Sequence, residues 1–195
     1  MTPSGDPFGP LLPVASLLRD FPRPWFIAGG WAIDLFLGER TRRHKDVDVA
    51  ILRRDQRELH TYLTGWAFEK LVEGRRSPWR EGERLNFPIH EIHASRPEGK
   101  PRAIEFLLNE AEGDEWIFRR DARITRPLTK VRHVSPSGIP YMAPANVLLY
   151  KAKGSTAKDL ADFDRVRPHL GFGRRLWLRH ALEIAHPGHP WIARL

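Results

Sequence analysis

Ala28-Gly29-Gly30-Trp31-Ala32-Ile33-Asp34, followed after a short gap by Thr41-Arg42-Arg43-His44-Lys45-Asp46-Val47-Asp48, is the stretch on which the fold turns. Trp25-Phe26-Ile27-Ala28 is a short apolar run entering the Gly29-Gly30 turn, the pattern of a buried strand. From Trp31 to Leu37 the apolar pairs Trp31/Leu35 and Ile33/Leu37 recur at helical spacing, and Gly38 offers a C-terminal stop. Asp46 to Leu52 then alternates, with Val47, Val49 and Ile51 on one face and Asp46, Asp48 and Ala50 on the other, which predicts a one-sided strand.

Two pieces of chemistry sit on this scaffold. Asp46 and Asp48 are two apart on a strand, so their carboxylates project from one face and repel unless a cation lies between them. Mg2+ prefers hard oxygen ligands and is commonly held by one or two carboxylates together with substrate phosphates. Gly29 and Gly30 stand at a strand-to-helix junction, where glycine permits positive φ and lets a phosphate approach backbone N–H groups at a helix N-terminus. A phosphate cradle and a carboxylate pair separated by one helix and a loop form the two halves of a nucleoside triphosphate (NTP) site. His44 adjoins the carboxylate loop and is a candidate nucleotide contact. Trp31 reads as core packing.

Working outward, residues 1–10 hold three prolines and two glycines and read as a flexible lead-in. Leu11 to Arg19 predicts a short helix ended by Pro22 and Pro24, Asp55 to Leu63 a second, and Trp66 to Val72 a strand. The charged segment 73–90 reads as irregular. Strand patterns return at Glu91–Ala94, Ala103–Leu108 and Trp116–Phe118, with Ile139-Pro140-Tyr141 an edge segment because proline suits an edge. From Ala143 the chain turns helical, with Pro144 at a first turn, Thr156 and Asp159 placed for a capping box, and a last helix near Arg174–Ile184. The expected fold is α/β (α+β): residues 1–140 form a core built on a small mixed sheet flanked by helices, and residues 141–195 a helical C-terminal subdomain.

Composition narrows the chemistry further. The 195 residues contain no cysteine, which excludes disulfides, thiolate catalysis and cysteine-based zinc sites. His90 and His93 lack the helical spacing of a His-Glu-x-x-His zinc motif. No apolar run reaches membrane-spanning length and the N-terminus lacks signal-peptide character, so no membrane partner and a cytoplasmic location are expected. The net charge of +8 favours phosphate-rich partners, an NTP or RNA, and counts mildly against a polycationic substrate. The arginines behind it are scattered, as on a solvated surface.

The segments quoted at the outset resemble the active-site signature of the polymerase-β-like nucleotidyltransferase superfamily, most closely its aminoglycoside 2''-adenylyltransferase group. The tight resemblance spans residues 26–52, and a looser one runs through Ala103-Ile104-Glu105-Phe106-Leu107 to Lys158-Asp159-Leu160-Ala161-Asp162-Phe163. It implies transfer of a nucleoside monophosphate from an NTP to an acceptor hydroxyl, with release of pyrophosphate. Asp46 and Asp48 would hold metal, with two Mg2+ ions as the expected cofactor. Glu105 would supply the third carboxylate, as base or metal ligand, with Glu91 of His90-Glu91-Ile92-His93 as its rival. Gly29 and Gly30 would cradle the terminal phosphates, and some of Arg40, Arg42, Arg43 and Lys45 would reach the triphosphate. Lys151, in the helical part, would face the nucleotide. Asp159 and Asp162 share a helix face and would bind the acceptor, or else pair with Lys158 and Arg165.

The acceptor itself stays open. A small molecule such as an aminoglycoside-like antibiotic calls for an acidic pocket, for which Glu110, Glu112, Asp114 and Glu115 are candidates. RNA or protein as acceptor calls for a continuous basic groove leading to Asp46. A non-catalytic nucleotide-binding protein is the third alternative, although all three carboxylates are present as acids.

Overall fold

The computed structural model describes residues 6–195; the first five residues of the proline- and glycine-rich lead-in lie outside the described part. Helix α1 (Leu12–Leu17) leads to β1 (Trp25–Ile27), α2 (Gly29–Leu37), β2 (Asp48–Leu52) and α3 (Glu58–Tyr62). There follow β3 (Ala67–Val72), β4 (Arg75–Pro78), β5 (Glu91–Ser95), β6 (Ala103–Glu112), β7 (Glu115–Ile117) and β8 (Thr125–Pro127). The chain ends with α4 (Leu128–Val131), β9 (Arg132–Val134), β10 (Pro140–Met142), α5 (Pro144–Lys151), α6 (Ala157–Val166) and α7 (Phe172–Ala185).

Among the described residues the strands form one mixed sheet in the order β4-β3-β5-β6-β2-β1-β10-β9, with β7 and β8 extending from β6. Strand β2 lies in the middle, parallel to β6 and antiparallel to β1. Val49, Ala50, Ile51 and Leu52 are all 0% exposed, so β2 is covered on both faces rather than one-sided. Ala50 is small enough to be buried with the apolar residues, which is why alternation in the sequence understated the coverage. The strand also starts at Asp48, and Asp46 and Val47 belong to the bend before it.

Three further differences have local causes. Helix α2 begins at Gly29, not Trp31, because the turn and the first helical residue coincide. The expected irregular segment contains β4, which folds back on β3 through Glu73 (φ 49°) and Gly74 (φ 77°), a two-residue turn with both φ values positive. Strand β10 is interior, between β1 and β9, and its proline is the first residue of the strand, another position proline tolerates.

The C-terminal helices close the core. Helix α5 packs on α2 and α7, and α6 packs on α2 and α5. The Thr156 hydroxyl accepts from the Asp159 N–H while the Asp159 carboxylate accepts from the Thr156 N–H, which is the capping box expected at the start of α6. Phe163 of α6 stacks on Trp191 with centroids 4.4 Å apart. One apolar cluster runs from Leu11 through the sheet to Trp191. No helix among the described residues is long and apolar enough to cross a membrane.

Candidate active site

The parallel pairing of β2 with β6 sets Asp48 opposite Glu105, and the antiparallel pairing of β5 with β6 sets His93 opposite Glu105 and Glu91 opposite Leu107. Directly paired residues share a sheet face, as do residues two apart on a strand. Asp48, Glu105, Glu91 and His93 therefore lie on one face, joined by Glu69, which pairs with His93 across β3 and β5. Asp46 approaches from the preceding bend.

These acids crowd one another. No hydrogen bond or ion pair reaches the carboxylates of Asp46, Asp48 or Glu105 from the other described residues. Burial raises the Asp48 carboxyl pKa, and the charges of Asp46 and Glu91 raise it further. Glu105 is pushed up to about 7 by burial, then by Asp48, Glu91 and Asp46. Hard oxygens without an ion-pair partner, with Asp48 and Glu105 both shifted up by burial and neighbouring acids, are the donor set that suits a divalent ion such as Mg2+. The residues present fit that ion.

Glu91, His93 and Glu105 also bring possible ligand atoms within 4.8 Å of one another. The hydrogen bonds argue against His93 as a ligand. Arg76 Nη2 lies 3.0 Å from His93 Nδ1 and, being only a donor, makes Nδ1 the acceptor. His93 Nε2 then carries the proton and donates to Glu91 Oε1 at 2.6 Å. Both ring nitrogens are occupied, and a guanidinium stands beside the cluster. Helical spacing does not describe this cluster; Glu91 and His93 are two apart on β5, the spacing of a strand face.

The two glycines serve the site's own side chains. A Cβ on Gly29, whose φ is +58°, would overlap the Asp48 carboxylate, and one on Gly30 would overlap Arg42 and the His44 ring. His44 is drawn inward: Nε2 lies 2.5 Å from Asp34 Oδ2, and its ring sits 4.4 Å from that of Trp31. Burial raises the Asp34 carboxyl, but hydrogen bonds from His44 and Thr41 outweigh this and hold its pKa below the usual value. Trp31 is 3% exposed, as core packing requires.

Arg42 and Lys151 converge on Asp162, which is 1% exposed. Arg42 Nη2 lies 3.5 Å from Asp162 Oδ2, and Lys151 Nζ lies 2.9 Å from Asp162 Oδ2 and 2.8 Å from Asp159 Oδ1. Asp162 and Asp159 thus join the basic loop to α5, and the expected pairing with Lys158 and Arg165 is not made. A cavity of about 500 Å3 opens beside the carboxylates. Gly29, Glu91 and Leu107 line it together with Arg119, Arg120, Lys151 and Lys153, of which Lys151 alone is expected from the sequence as a nucleotide contact; Asp46, Asp48 and Glu105 are its neighbours and not its lining. None of the acidic stretch Glu110–Glu115 lines this cavity. Glu112 is seven residues along β6 from Glu105, roughly 23 Å at strand rise, and Glu110 is held by Arg53 Nε at 2.7 Å.

The family described as aminoglycoside-2''-adenylyltransferase matches residues 10–146. No curated protein sequence matches the chain. The fold is similar to that of ANT(2'')-Ia in complex with adenylyl-2''-tobramycin, with TM-score 0.59, 13% identity, and coverage of 89% of this chain and 95% of that one. It is similar to the lincosamide antibiotic adenylyltransferase LnuA bound to lincomycin, with TM-score 0.55, 13% identity, and coverage of 81% and 94%. An antigenic nucleotidyltransferase-like protein from Paracoccidioides brasiliensis gives TM-score 0.50 at 17% identity, with coverage of 97% and 92%. At these identities the likeness is one of fold.

Proposed function

Because the chain belongs to the aminoglycoside-2''-adenylyltransferase family, and so is a nucleotidyltransferase, we propose that it moves a nucleoside monophosphate from an NTP to a hydroxyl of a small-molecule acceptor of aminoglycoside-like character. The observation that carries this reading is the crowding of Asp46, Asp48 and Glu105, without partners, beside a cavity lined in part by cationic side chains. In this scheme Asp46, Asp48 and Glu105 hold Mg2+, which when bound offsets phosphate charge. Glu105 receives the acceptor's proton as the acceptor oxygen bonds to the α-phosphorus and the bond to pyrophosphate breaks. Gly29 and Gly30 keep Asp48 and the Arg42–His44 loop close to the NTP. Asp162 and Asp159 hold Arg42 and Lys151 in place at the nucleotide, and residues 1–140 supply the carboxylates while 141–195 close the cavity.

Local charge supports a cationic acceptor despite the net charge of +8. Charges beyond about 8 Å are largely screened at physiological salt, so Asp46, Asp48, Glu91 and Glu105, rather than the net charge, set the potential at the carboxylates, with Arg76 as the neighbouring cation. The test is incubation with each of the four NTPs, Mg2+ and a panel of aminoglycosides, lincosamides and transfer RNA, read by mass spectrometry. Addition of a nucleoside monophosphate to an amino-sugar acceptor supports the proposal. Addition to RNA alone would replace the acceptor assignment, and no addition to any member would overturn it.

A further inference from the structure

Of the cationic residues that line the cavity, Arg119 and Arg120 are adjacent in the chain and have no role in the scheme above. Phe118, just after β7, is 0% exposed and fixes the chain there. Arg119 and Arg120 follow it, with guanidinium carbons 5.5 and 5.3 Å from the centroid of the Tyr150 ring. Both line the cavity that Gly29 and Glu91 border. Arg120 Nη1 donates to the Tyr150 carbonyl at 2.8 Å. Neither arginine has a carboxylate within ion-pair distance among the described residues, and the Arg119 side chain makes no hydrogen bond there.

The nearby acids are already engaged. Glu110 is held by Arg53 at 2.7 Å, and Glu91 accepts from His93 at 2.6 Å. The Tyr150 hydroxyl stays neutral, its pKa pushed up to about 12 by burial. Burial disfavours the charged form of Arg119 and Arg120, and Arg119 repels Arg120 as well. Two guanidiniums side by side over one aromatic ring, Arg119 partly buried and Arg120 exposed, repel each other and favour an anion between them. The planar fork of arginine matches phosphate oxygens in pairs. Arg42 and Lys151, by contrast, already hold carboxylates.

We propose that Arg119 and Arg120 form a clamp for the β- and γ-phosphates of the NTP and for the pyrophosphate that leaves. The inference rests on the nucleotidyl-transfer reading and adds residues outside the motif that suggested it. When the α-phosphorus bonds to the acceptor oxygen, the electron pair of the broken bond stays on pyrophosphate. Its added negative charge develops beside these guanidiniums, so they act on turnover as well as on binding.

The test is calorimetric titration of the full chain with Mg2+ and, separately, the four NTPs, pyrophosphate and the corresponding nucleoside monophosphates. The proteins are wild type, Arg119→Gln/Arg120→Gln and Arg119→Lys/Arg120→Lys. The glutamine variant is expected to bind its NTP and pyrophosphate about tenfold to a hundredfold more weakly, the range for lost charged hydrogen bonds, with the monophosphate within about twofold of wild type. The lysine variant should recover part of the loss. Unchanged triphosphate affinity in the glutamine variant overturns the clamp while leaving nucleotidyl transfer intact, and an equal loss for the monophosphate overturns it too. Failure of wild type to bind any NTP would instead remove the reading beneath it. If the double variant does not fold, Arg119→Gln alone decides, since that side chain makes no hydrogen bond to lose.

Discussion

Replacing Glu105 with glutamine should stabilise the metal-free protein while abolishing transfer. Glu105 is held at a pKa of about 7, against the usual 4.5, by burial and by Asp48, Glu91 and Asp46. Its charged form is therefore less favourable in the folded chain than in the unfolded one. The stability that a protonated Glu105 contributes is complete below about pH 4.5 and is lost as pH rises through about 7. At full strength that rise corresponds to about 3 kcal/mol. Glu105 is partly exposed, and solvent screening reduces the figure to on the order of 1–2 kcal/mol. Urea melts in the presence of a chelator across this pH range make the measurement. Glu105→Gln and wild type should coincide near pH 4 and diverge as pH rises, the variant becoming more stable by on the order of 1–2 kcal/mol near pH 8. Added Mg2+ should stabilise wild type more than the variant. Parallel curves at all pH values, or a variant less stable near pH 8, would refute the crowding of these carboxylates.

Two other substitutions test the surroundings of the site. Asp162→Asn leaves Arg42 and Lys151 facing a buried neutral group, and chemical denaturation should show a loss of about 3 kcal/mol, with an accompanying rise in the KM for NTP. Gly29→Ala adds a Cβ that overlaps the Asp48 carboxylate at a φ of +58°. It should destabilise by about 1–2 kcal/mol and lower turnover by more than about tenfold, measured by melts and initial rates on the same preparation.

Much of the core was legible because one physical pattern decided each piece. The apolar run at Trp25–Ala28, the helical pairs at Trp31–Leu37 and the alternation after Asp46 each had a single periodicity, and each led to an element close to its expected bounds. The capping box at Thr156 and Asp159 was equally local. What stayed hidden depended on pairing. Arg75–Pro78 has a polar sequence without strand character and becomes β4 because the Glu73-Gly74 turn lays it against β3. Pro140 suits both an edge and the first residue of a strand, and its neighbours β1 and β9 decide between them.

The candidate site divides in the same way. Asp46 and Asp48 could be chosen from their spacing and Glu105 from the resemblance, and the register sets Asp48 beside Glu105. Arg42, His44 and Lys151 stood out as basic groups near a motif, yet each faces an internal carboxylate, at Asp162, Asp34 and Asp159. No spacing rule announces such long-range pairs. Arg119 and Arg120 are two arginines among many in the sequence, and only the fold brings them to the cavity wall. Glu110–Glu115 looked suitable as an acidic patch, but the length of β6 carries it away from Glu105.

The central claim is tested most directly by following two labels in one reaction. Wild type and Asp48→Asn are incubated with Mg2+, an amino-sugar acceptor, and NTP labelled at either the α- or the γ-phosphate. The account predicts that wild type transfers the α-label to the acceptor and releases the γ-label in pyrophosphate, and that Asp48→Asn does neither. Transfer of the γ-label, or α-label transfer that survives Asp48→Asn, would contradict it.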